Sequence, residues 1–73
     1  MKIEINLNGN KAVIKESDNL VDALEEFDAK EIKSVIYTEG DITTFAKSVK
    51  EFRGYTLKVT GKYNNKTGEF EYV

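Results

Sequence analysis

The chain has 73 residues, of which 40% are hydrophobic and 33% charged, with a formal net charge of −2 and neither Cys nor His. So short a chain supports one core and no second domain, and such a core seldom leaves more than about 3–5 kcal/mol of net stability. Disulfides, zinc sites built on thiolate or imidazole, and the common nucleophile–base pairs are excluded.

Ile3, Ile5 and Leu7 alternate with Lys2, Glu4 and Asn6, which predicts a half-buried strand. Asn8-Gly9 tolerates the positive φ of a type I′ turn, and Lys11–Lys15 returns as the second strand. Ser17, Asp18 and Asn19 offer N-caps ahead of Leu20, Val21, Leu24 and Phe27, whose spacing predicts a helix of about ten residues. Ile32–Tyr37 is β-branched and apolar on both parities, as a central strand requires. Thr38-Glu39-Gly40-Asp41 ends it. Asp41 is then placed to cap a second helix on which Ile42, Phe45, Ala46, Val49 and Phe52 recur at helical spacing, with Gly54 as its C′ residue. Tyr55, Leu57, Val59 and Tyr63 alternate with polar residues in a further strand. Asn64–Gly68 supplies a turn, and Glu69–Val73 forms the last strand. The predicted fold is a single α+β domain, residues 1–73, in the order ββαβαββ: a mixed sheet of about five strands with both helices packed on one face.

The opening residues lack a continuous apolar h-region, and no stretch approaches the roughly 18–20 apolar residues of a membrane span. A cytoplasmic protein with no membrane association is expected. Usage rich in Lys, Asn and Ile with a single Arg resembles small reading frames of AT-rich bacterial or phage genomes.

Carboxylates are the only candidates for catalysis. Glu39 and Asp41 flank Gly40 at the end of a predicted strand, where two oxygens could hold Mg²⁺, but Asp41 is also where an N-cap is needed. Asp18, Asp22, Glu25, Glu26 and Asp28 have the period of a solvated helix face and suit the positive end of its dipole. No enzyme activity and no cofactor or metal is expected.

Two binding surfaces are predicted. Val13, Val35 and Tyr37 are assigned to the uncovered sheet face as an apolar patch for a protein partner or a second copy, with Ile36 as the alternative outward parity. Lys47, Lys50 and Arg53 on the second helix, with Lys58 and Lys62 on the next strand, form a basic stripe for weak, sequence-tolerant nucleic-acid binding. Tyr55 and Tyr63 share the parity of Leu57 and Val59, so this reading leaves no aromatic platform for stacked bases. The leading expectation is a small non-enzymatic interaction or regulatory module.

Overall fold

The alternation at the start of the chain is realised as β1 (Lys2–Leu7) in a computed structural model that describes residues 1–73. The Asn8-Gly9-Asn10 loop leads into β2 (Lys11–Glu16), with Gly9 at φ 82° and Asn10 at φ 61°. Glycine and asparagine enter this left-handed region at the least cost. The open end of the hairpin is closed by the Met1 ammonium, which donates to Glu16 Oε1 at 2.7 Å. That hydrogen bond holds the ammonium pKa above its ordinary value.

Helix α1 spans only Leu20–Leu24, half the length its apolar spacing predicts. Asn19 caps it, its Oδ1 accepting from the amides of Val21 at 2.9 Å and Asp22 at 3.3 Å. A tighter bond from Phe27 N to Leu24 O ends the helix, and Asp28 then caps a 3₁₀ turn over Ala29–Glu31. Asn19→Ala should cost about 1 kcal/mol, because it orphans two amide donors. For a chain of this size the melting temperature should then fall by roughly 4–8 °C, which thermal unfolding followed by circular dichroism would read.

The second helix does not form. Ile42–Glu51 is strand β4, between β3 (Ile32–Glu39) and β5 (Gly54–Asn64), and β6 (Phe70–Tyr72) closes the chain. Strands make up 60% of the residues and helical turns 11%, so the two-helix α+β expectation is overturned in favour of a nearly all-β sheet. The helical spacing of Ile42, Phe45, Ala46 and Val49 coexists with a β-branched run, Ile42-Thr43-Thr44. Both flanking links are also of hairpin length. Glu39 pairs with Ile42 across Gly40-Asp41, and Glu51 with Gly54 across Phe52-Arg53. Gly40, at φ 62°, therefore serves a hairpin, and Asp41 is a loop residue whose carbonyl accepts from Asn65. Gly54 likewise closes a hairpin and not a helix.

All ladders are antiparallel, in the order β2-β1-β3-β4-β5-β6. β2 and β3 flank β1 and run in the same direction, so the segment holding α1 and the 3₁₀ turn must cross over β1. It lies on one face of the sheet. There Ile3, Ile5 and Val35 are fully buried with Ala23 of α1, ringed by Leu20, Leu24, Phe27, Tyr37 and Leu57. Nothing of the chain crosses the opposite face, which is left bare.

Candidate functional site

Cross-strand partners share a sheet face, so the register sorts every strand residue. Ile5 stands opposite both Val13 and Val35, and Val35 opposite Ala46. Val13, Val35 and Tyr37 therefore lie on the helix-covered face, not the open one. Val35 has no exposed surface, and Tyr37 packs against the core. Ile36 takes the outward parity instead.

The open face is built from three rows that cross the sheet. One row runs Ile14, Glu4, Ile36, Phe45, Gly61, Tyr72 through all six strands. Beside it run Glu16, Lys2, Thr38, Thr43, Tyr63 and Phe70, while Ala12, Asn6, Ser34, Lys47 and Lys58 form a polar third row. At about 4.8 Å per strand the two six-strand rows extend about 24 Å. Ile14 is 56% exposed, Phe70 45% and Tyr72 86%. The aromatic rings form a cluster: Phe45 and Phe70 are tilted at 5.7 Å between centroids, and Phe70 meets Tyr72 edge-on at 4.8 Å. The cluster exists because position 61 is glycine. A Cβ there would fall 2.5 Å from Phe70 Cζ.

Tyr63 reaches this face through a bulge. Phe45 pairs with Gly61 but Ala46 pairs with Val59, which leaves Thr60 as an extra residue. One extra residue shifts the period-two alternation by one step. Tyr55, Leu57 and Val59 thus keep the helix-covered side while Tyr63 turns outward. The alternation of Phe70 and Tyr72 about Glu71 was the sequence signal for an aromatic outer face. Its partner Tyr63 was hidden because nothing in the local sequence marks Thr60 as unpaired.

The predicted basic stripe is dispersed once its helix becomes a strand. Lys47 and Lys58 stand directly opposite each other on the open face, Lys50 and Lys62 take the other face, and Arg53 occupies the tip of the β4–β5 hairpin beside a fully exposed Phe52. None of the five forms an ion pair; the ion pairs join Met1 to Glu16, Lys15 to Glu26 and Lys30 to Asp28. Glu39 and Asp41 belong to no group of three or more acidic side chains arranged to hold a metal. Two of the acidic residues around α1 have local partners: Glu26 meets Lys15, whose ammonium also lies 5.4 Å from the Phe27 ring centroid, and Asp28 caps the 3₁₀ turn.

A groove of about 260 Å³ lies on the helix-covered side, where the β4–β5 hairpin passes α1 and the 3₁₀ turn. Val21, Leu24, Phe27 and Ile32 form one wall and Tyr55 and Leu57 the other. No helix is long and apolar enough to cross a membrane. Comparison with protein-family models, with curated proteins and with solved structures returns no match.

Proposed function

We propose that this chain is a small, non-enzymatic, cytoplasmic protein-interaction module that binds a second copy of itself through the open sheet face. The observation that carries this reading is the row Ile14, Glu4, Ile36, Phe45, Gly61 and Tyr72, apolar apart from Glu4, in which Ile14 and Tyr72 are exposed and Ile36 and Phe45 half-buried, with exposed Phe70 and half-buried Tyr63 beside it. The row maps onto itself, with Glu4 set opposite Gly61. A two-fold axis along the strands, between β3 and β4, exchanges β2 with β6 and β3 with β4. Ile14 of one copy then meets Tyr72 of the other, and Ile36 meets Phe45, as an isologous interface demands. The third row, with Asn6, Ser34, Lys47 and Lys58, becomes a polar rim.

Sedimentation equilibrium tests this. The native chain should be a dimer that Ile14→Asp and Tyr72→Asp convert to folded monomers, because both side chains are exposed and each carboxylate would face an apolar partner. A native chain that stays monomeric at all concentrations refutes self-association, and the face would then belong to a different protein.

One observation favours a second reading. Tyr63, Phe70 and Tyr72, on the same open sheet face as Lys47 and Lys58, resemble in arrangement a platform on which unpaired bases stack. Under that reading a labelled single-stranded oligonucleotide should bind the native chain. Its affinity should fall steeply from low to moderate salt, and Tyr72→Ala should weaken it. The overall charge of −2 weighs against it.

A further inference from the structure

Three features stand outside the open face: the apolar groove, the exposed Phe52 at the hairpin tip, and the outer edge of β5. The groove and the edge belong together. β6 pairs with β5 only over Gly61–Tyr63, and the amide of Val73 reaches Thr60 O at 3.2 Å. From Gly54 to Val59 the strand is paired with β4 alone, and no turn, loop or side-chain hydrogen bond reaches its outer backbone groups. The alternate N–H and C=O groups of this edge are a template for another strand.

Side chains along the edge state what that strand should contain. Tyr55 and Leu57 face the groove, whose far wall is Val21, Leu24 and Phe27, so residues of an added strand on that side enter apolar surroundings. Lys58 faces the opposite side, directly across from Lys47, and neither has a carboxylate partner. Like charges placed opposite each other repel, and an incoming carboxylate would relieve that repulsion. From Lys47 to Lys58 the hairpin holds four basic residues and one acid, Glu51, in a chain that is acidic overall. The one carboxylate lining the groove, Glu25, sits on the apolar side, which keeps acidic residues of the partner on the Lys58 side.

We infer that the edge of β5 from Tyr55 to Val59 captures an extended peptide in which apolar residues alternate with acidic ones, apolar side chains entering the groove and carboxylates facing Lys58 and Lys47. A second copy of this chain is the poorer occupant, because pairing β5 with β5 would bring two basic hairpins together. The edge remains free when the open face is covered, so this site does not depend on the proposed dimer.

The test uses the full chain and the synthetic peptide Glu-Val-Glu-Leu-Glu-Val-Glu, followed by amide chemical shifts and by hydrogen exchange. The expected result is saturable binding with shifts and new protection concentrated at Tyr55–Val59. Affinity should fall at least tenfold in Lys58→Glu, and at least tenfold for the peptide methylated on alternate backbone nitrogens so that one edge cannot pair. The methylated peptide leaves the protein unaltered, so its loss of binding cannot come from a folding defect. Tyr72→Asp should bind the native peptide as the unmodified chain does, which separates this site from the open face. Absence of binding, equal binding of the methylated peptide, or shifts confined to the open face would each overturn the inference.

Discussion

Val35→Asp should leave the domain unfolded at 25 °C, while Ile14→Asp should leave it folded. Val35 has no exposed surface and lies in register between Ile5 of β1 and Ala46 of β4, with Ala23 of α1 packed in the same cluster. No cation is available within that apolar set, so an ionised carboxylate would lose its hydration and gain nothing in return. The penalty is several kcal/mol, against a net stability on the order of 3–5 kcal/mol for a chain of this size. Circular dichroism and amide dispersion in NMR spectra read the outcome. A folded Val35→Asp with an unchanged denaturation midpoint would reverse the assignment of faces, and with it the surface on which the proposed function rests.

Gly61→Val should unseat Phe70 and break the aromatic cluster. A Cβ at position 61 lies 2.5 Å from Phe70 Cζ, 2.9 Å from Cε1 and 3.3 Å from the carbonyl oxygen of Glu71, so the added side chain competes with both the ring and the backbone of β6. Only three residue pairs hold β6 to β5, so the strand has little else to resist displacement. Overpacking of this kind costs about 1–3 kcal/mol. The contact between the Phe45 and Phe70 rings should vanish from NOE spectra, and self-association should be lost with it. Replacing Phe70 by Ala in the same chain frees the space, and the double variant should be more stable than the sum of the two single losses predicts. Strict additivity would mean that Gly61 is there for a reason other than the ring.

Six strand assignments depend on local pattern, and five of them were legible. The alternations in β1 and β5, the return of β2 from the Asn8-Gly9 turn, the β-branched run of β3 and the short return of β6 were each visible without help from the rest of the chain. The hairpin loops at Gly9 and Gly68, both at positive φ, were equally visible. Segment 41–53 was not, because Ile42, Phe45, Ala46 and Val49 satisfy the helical period while Thr43, Thr44 and Val49 satisfy the strand preference, and a single segment carries no term that chooses. Pairing on both edges chose. β3 and β5 stand on either side of it and satisfy its backbone groups along most of its length, which a lone helix could not match without abandoning both partners.

The amino-acid sequence by itself determined the lack of Cys and His chemistry, most of the strands, and a sheet with one face left bare. Only the tertiary structure decided which residues that bare face holds. Two non-local features settled it: the crossover above β1, which buried the parity of Ile5 and Val35, and the unpaired Thr60, which turned Tyr63 outward while Leu57 and Val59 stayed inward. The first is a property of strand order and the second of register between β4 and β5, and neither is written in the local pattern of a single strand. A one-residue shift in register exchanges the faces of a strand without changing its local pattern, and for that reason the sequence predicts that a strand exists more readily than which side it shows.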